Sequence, residues 1–142
     1  MGASMTVFLD SNIILDVFLK NKDFYEESQM VLNLADSGSI DFFISAASIT
    51  DIFYVLNKYI KNAEEAKNHL KSLLEIVSVA GVDESCIKNA LNSSWKDFED
   101  SVQHEAAIQI GTDYLVTRNI DDFKTPFVEV INPTDFLKRF AR

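Results

Sequence analysis

A chain of 142 residues with 47% hydrophobic content, four glycines and two prolines has the size of one domain, and no apolar stretch in it approaches the roughly 20 residues that span a bilayer. Its one cysteine, Cys86, excludes an intrachain disulfide and a thiolate zinc cluster, which suits a cytoplasmic protein. Twenty-two acidic against thirteen basic residues leave a net charge of −9, the wrong sign for capturing nucleic acid by electrostatics alone unless a cation reverses it locally.

Residues 1 to 4 lie ahead of a second methionine, Met5, and resemble a remnant before the original start, so a single domain is expected over residues 5 to 142. Thr6-Val7-Phe8-Leu9 reads as a strand that turns at Asp10-Ser11-Asn12 into a helix beginning Ile13-Ile14-Leu15. A second helix is expected from 23 to 37, stopped by Gly38. Phe42-Phe43-Ile44-Ser45 has the character of a buried strand. Two helices follow, one with Ile49, Ile52, Phe53, Leu56 and Ile60 on a stripe, the next with Ala66, Leu70, Leu73 and Val77; together they predict a helical arm.

A third strand is expected over 77 to 82, a helix over 83 to 91, and another from Trp95 or Asp97 to Gly111. Residues 113 to 117 and 127 to 131 give strands four and five, and Pro133 opens a closing helix. Short apolar runs alternating with helical stripes predict an α/β fold with a parallel sheet of about five strands. Ligands of such sheets bind beyond the carboxyl ends of the strands, near the switch in strand order.

Asp10 directly follows the first strand, so it points into that crevice or caps the next helix. Asp16, further along the same helix, is expected to face solvent or brace Asn12. Asp51 lies off the apolar stripe of its helix, where Ser48 and Asp51 also resemble a capping box. Asp97 and Asp100, three apart, share a helical face with no lysine partner on it, although acidic residues also favour a first helical turn. Thr117-Arg118-Asn119 stands at the end of strand four, followed by Asp122; turn and capping roles compete here. His104 is more simply a surface or packing residue. Oxygen ligands without Cys or paired His are what Mg²⁺ and Mn²⁺ prefer, and like charges gathered at one rim call for a cation.

These segments together resemble the PIN-domain family. Leu9-Asp10-Ser11-Asn12-Ile13-Ile14-Leu15-Asp16 is similar to its opening motif, Ser45 to Asp51 to the second, Asp97-Phe98-Glu99-Asp100 to the third, and Val116 to Phe123 to the fourth. The likeness spans about residues 5 to 138 and is nearest to small prokaryotic members, which include the VapC-like toxins. It implies a three-layer α/β/α fold, Mg²⁺- or Mn²⁺-dependent endoribonuclease activity, homodimers and often a small antitoxin partner. Two departures stand out: Asp51 where the family usually has Glu, and Asn119 where it often has Asp. Both weaken the hold on a second metal, for which Asp97 or Asp122 is the available compensation.

The expected chemistry is in-line attack by an activated water on an RNA phosphodiester, leaving a 5′-phosphate and a 3′-hydroxyl. Asp10 and Asp100 are the principal metal ligands, with Asp97 and Asp122 beside them; Asp51 orients a ligand or water, and Asn12, Thr117, Arg118 and Asn119 position substrate or support the ligands. Two rivals remain: a weakly active or inactive PIN-like module that binds RNA or protein, and a phosphoryl-acceptor domain with Asp10 as nucleophile. The latter lacks an acidic residue at position 12. Lys58, Lys61, Lys67 and Lys71 in the arm either approach substrate phosphates or form a solvated face.

Overall fold

The computed structural model describes residues 5–141; the expected remnant at 1–4 lies outside the described residues. Five strands, β1 (Met5–Leu9), β2 (Ile40–Ser45), β3 (Val77–Ala80), β4 (Tyr114–Val116) and β5 (Glu129–Ile131), form one sheet in the order β3-β2-β1-β4-β5. Every pairing is parallel, with Val7 opposite Phe42 on one side and Tyr114 on the other. All five carboxyl ends therefore lie along one rim. The strand order reverses direction between β1 and β4, which places the crevice for a ligand there.

Alternation along β1 builds two cores, because successive side chains leave opposite faces of a strand. Val7 and Leu9 join Phe42, Ile44, Val116 and Phe136 on one face, while Phe8 meets Leu115, Ala106, Ala107 and Phe123 on the other. Burying each large apolar side chain contributes about 1.5–3 kcal/mol, which is why the buried end of the central strand shows no polar position before Asp10.

The first face is covered by α1 (Ser11–Phe18), α2 (Tyr25–Asn33), α3 (Ala46–Ile60), α4 (Ala63–Leu73) and α7 (Pro133–Phe140). The second is covered by α6 (Phe98–Gln109), with α5 (Glu84–Leu91) packed against it. This is the expected three-layer arrangement, and α3 and α4 pair as the expected arm. No helix among the described residues is long and apolar enough to cross a membrane.

Several boundaries move from expectation, the shortening of strand four to Tyr114–Val116 and of the sixth helix to Phe98–Gln109 among them. The helix expected over 23–37 ends at Asn33, and Leu34–Ser37 tightens into a 3₁₀ turn before Gly38, whose φ of 75° accommodates the stop. The third strand ends at Ala80, not at residue 82. The fifth begins at Glu129, because Phe127 projects outward at 72% exposure and the chain before it is still turning.

Candidate functional site

The last residue of β1 hands the chain to Asp10, whose extended backbone makes it the N-cap of α1. Its N–H continues the β1–β4 ladder to the Val116 carbonyl at 3.0 Å, which pins the side chain over the strand ends. The carboxylate is almost wholly buried and held by donors on both oxygens. Thr117 Oγ1 donates to Oδ2 at 2.8 Å, and Gln103 Nε2 donates to Oδ1 at 3.3 Å. The Thr117 hydroxyl in turn accepts the Asn119 N–H at 3.1 Å, so its proton is directed at Asp10. Asp10 thus caps α1 from the carboxyl end of β1.

Helix α6 begins at its N-cap Asp97, whose carboxylate accepts the Asp100 N–H at 2.9 Å. Asp97 therefore precedes the helix instead of sharing a helical face with Asp100. One turn on from Asp100, buried Gln103 reaches the β1–α1 junction, also accepting the Ser11 N–H at 3.2 Å, and ties α6 to Asp10. The spacing of three from Asp100 is a signal in the sequence, but an amide there carries no special chemistry until its partner is known.

Asp100 is pushed up to about 7, first by burial and then by the charges of Asp97, Asp10 and Asp122. Glu99 is pushed up to about 8, first by its hydrogen bond with Asp51, then by burial and by the charges of Asp51, Asp97 and Asp100. Asp51 is exposed on the second turn of α3 and leans on Glu99. The cap of α3 is not the Ser48–Asp51 pair but Ser45, whose hydroxyl accepts the Ala47 N–H at 3.1 Å; Ser48 is buried inside the helix. Glu99 is a further acidic member of the site, hidden in the sequence because its proximity to Asp51 arises only when α3 packs on α6.

Six carboxylates from four segments thus act on one another across the rim: Asp10, Asp51, Asp97, Glu99, Asp100 and Asp122. Among the described residues they do not close into a direct three-ligand cage. A hard cation that keeps several of its own waters needs only one or two carboxylates in direct contact. An oxygen-only donor set with excess negative charge is of the kind that hard divalent cations accept.

The remaining candidates divide. Asn12 sits half-buried in the first turn of α1, its N–H 3.5 Å from Asp10 Oδ1, and Asn119 is exposed beside Asp122. Arg118 turns away from the carboxylate cluster: its Nε donates to Asp16 at 3.1 Å and its guanidinium stacks 4.3 Å from the Phe24 ring. Asp16 is not solvent-facing as expected but buried, receiving Arg118, Asn21 and Ser28; burial still outweighs them and raises its carboxyl above the ordinary value. His104 is a packing residue, stacked on Trp95 and kept below its ordinary pKa by burial.

The chain is 26% identical over 142 residues to Ribonuclease VapC1 of Aquifex aeolicus, covering 96% of each sequence. Its fold is similar to VapBC2 from Rickettsia felis, solved bound to a promoter DNA fragment, with a TM-score of 0.67 and 23% identity over 90% of this chain and 98% of that one. It is also similar to Mycobacterium tuberculosis VapC20, described as a Sarcin-Ricin loop cleaving toxin, with a TM-score of 0.67 and 16% identity over 87% and 98% of the two chains. The PIN domain family model matches residues 6–121, a stretch that takes in Asp10, Asp51, Asp100 and Asn119, and the chain belongs to the PIN domain family.

Proposed function

We propose that this protein is an endoribonuclease that uses Mg²⁺ or Mn²⁺ to hydrolyse RNA phosphodiester bonds, and that it is the toxin of a toxin–antitoxin pair. The observation that carries the reading is the gathering of buried Asp10 and half-buried Asp100 among like charges at the switch point of the sheet, with Asp100 raised to about 7. A fold maintains such a cluster at a cost to its own stability, and functional sites are where that cost is commonly met. The relative named as a ribonuclease, and neighbours solved as toxin–antitoxin complexes, support the same assignment.

In this reading Asp10 and Asp100 hold the cation, while Thr117 and Gln103 fix the Asp10 carboxylate so that its free lone pairs face the rim. Once bound, the divalent ion supplies charge stabilisation at the phosphoryl oxygens and makes water a better nucleophile at neutral pH. Glu99, pushed up to about 8 first by its hydrogen bond with Asp51, carries a proton at neutral pH, which leaves its side of the rim less repulsive to an approaching phosphate. Asn12 and Asn119 offer amides to substrate or ordered water. Arg118 positions the loop that carries Thr117 and Asn119 through its pair with Asp16.

The protein acts in the cytoplasm as a homodimer and is restrained by a small antitoxin. Purified protein should cleave single-stranded RNA with Mg²⁺ or Mn²⁺, stop with EDTA, and leave 5′-phosphate and 3′-hydroxyl ends. Asp10→Asn should abolish cleavage while keeping the fold; activity that persists in it rules this site out. The alternative, a weakly active or inactive module that binds RNA or protein, draws on Asp51 and Asn119 at positions where a longer or charged side chain is usual. Calorimetric titration with Mn²⁺ separates the two, since an inactive module has no need of a cation.

A further inference from the structure

Beside Asp100 lies a cleft of about 480 Å³ whose aromatic and basic walls none of the roles above uses, bordered by Trp95, Lys96, Asp97, Asp100, Asp122 and Lys124. That volume falls within the usual range of about 300–1,000 Å³ for small-ligand sites. Trp95 lines one side of the cleft, and its indole is braced. His104 stacks on it at 4.6 Å, Phe123 meets it edge-on at 5.7 Å, and the Trp95 backbone N–H donates to Ser93 Oγ at 3.3 Å. His104 is itself held by Thr125 Oγ1 at 2.8 Å. The ring is thus set in place before any ligand arrives, and half-buried Trp95 borders the cleft.

The two lysines give the second observation. Lys96 and Lys124 are exposed, and neither forms a salt bridge among the described residues, although Asp97, Asp121 and Asp122 line the same cleft. A rigid aromatic wall with unpaired cations alongside is the recurrent arrangement for a single-stranded nucleotide: the base packs on the ring and the cations meet flanking phosphates. In a chain of net charge −9, these are the cations positioned where the strand must pass if its phosphate sits at Asp100.

Resting on the ribonuclease reading, we propose that this cleft is the subsite for the nucleotide adjoining the scissile phosphate, with Trp95 as the stacking wall and Lys96 and Lys124 as phosphate contacts. Trp95 is then a specificity-determining residue. It favours an unpaired base at that position, because a base within a duplex has no free face to offer.

Trp95 is the only tryptophan in the chain, so its fluorescence reports on this cleft alone. The full-length Asp10→Asn protein is titrated with a fluorescein-labelled single-stranded RNA of random sequence, about 12 nucleotides long, a length chosen to span a typical single-strand site. Indole quenching and label anisotropy should saturate together. Trp95→Ala should weaken binding by about 10-fold or more, Trp95→Phe by less, and Lys96→Gln with Lys124→Gln should reduce the salt slope by about 0.7 per lysine. Anisotropy that saturates without quenching, with Trp95→Phe and the lysine variants binding as the parent does, overturns the subsite and leaves the nuclease standing. Wild-type protein that neither binds nor cleaves RNA sinks both. Should Trp95→Ala fail to fold, the quenching and the Trp95→Phe and lysine variants still decide.

Discussion

Thr117 Oγ1 donates to Asp10 Oδ2 across 2.8 Å, joining residues 107 positions apart in sequence at the ends of neighbouring strands. Because the Asn119 N–H occupies the hydroxyl as acceptor, the bond has a fixed direction. Thr117→Val keeps the buried shape and removes the donor. Cleavage should fall by about 10- to 100-fold, the size of effect typical for groups that orient a metal ligand, while Thr117→Ser should recover most of it. A Thr117→Val enzyme with parental kcat and parental Mn²⁺ affinity would remove this bond from the site.

Asp100 contributes charge that the fold tolerates at a cost. Asp100→Asn should therefore melt at a higher temperature than the parent when both are stripped with EDTA. It should also lose the rise in Tm that millimolar Mn²⁺ gives the parent, since a ligand that binds only the folded state stabilises it by mass action. Differential scanning calorimetry with and without Mn²⁺ reads both effects; an Asp100→Asn protein stabilised by Mn²⁺ as strongly as the parent would exclude Asp100 as a ligand.

The pH dependence follows from the raised carboxyls. With Asp100 at about 7 and Glu99 at about 8, these two groups together bind more protons in the folded chain than in the unfolded one from about pH 4 to pH 8. The stabilising contribution of protonation is therefore present at low pH and lost as pH rises through the folded values. Metal-free protein should show a falling Tm between about pH 5.5 and pH 8, and Mn²⁺ should raise Tm more at the upper end, where it no longer competes with protons. Cleavage should accelerate with pH through about 7; a flat profile over that span would contradict a titrating Asp100.

Arg118 and Asp16 form a largely buried pair at 3.1 Å. Arg118→Met strands the Asp16 carboxylate and forfeits the stack on Phe24, so urea unfolding should report a loss of about 3 kcal/mol. Adding Asp16→Asn to that variant should restore part of it. If Arg118 met substrate directly instead, the stability of Arg118→Met would hardly change while KM rose.

The arm offers a further check on substrate contact. Lys67 pairs with Glu64 and Lys58 lies over the Tyr54 ring, both on exposed surface. Lys58→Glu with Lys61→Glu should weaken RNA binding several-fold if the strand runs along the arm; parental affinity in a gel-shift titration would assign these lysines to solvent.

Which of these features could be read without coordinates depends on sequence distance. The strands at Met5, Ile40 and Tyr114 and the positions of Asp10 and Asp100 follow from local apolar runs and the residues that end them. The burial of Asp16 does not, because its cation lies 102 positions away and a lone Asp on a helix ordinarily faces water. Glu99 is hidden for a related reason. Within Asp97-Phe98-Glu99-Asp100 every acidic residue looks alike, and only the crossing of α3 over α6 sets one of them against Asp51. The Ser48–Asp51 pattern misleads in the opposite way: it mimics a cap, but the chain has already entered the helix at Ser45.

The position of β1 in the middle of the sheet has a consequence for the order in which the protein is made. Asp10 is synthesised 107 residues ahead of Thr117, the neighbour that steadies it. Until β4 docks, the acidic side chain has neither its strand partner nor its hydroxyl. A chain whose β4 has not yet emerged is in that state, so the surroundings of Asp10 are completed only when β4 docks.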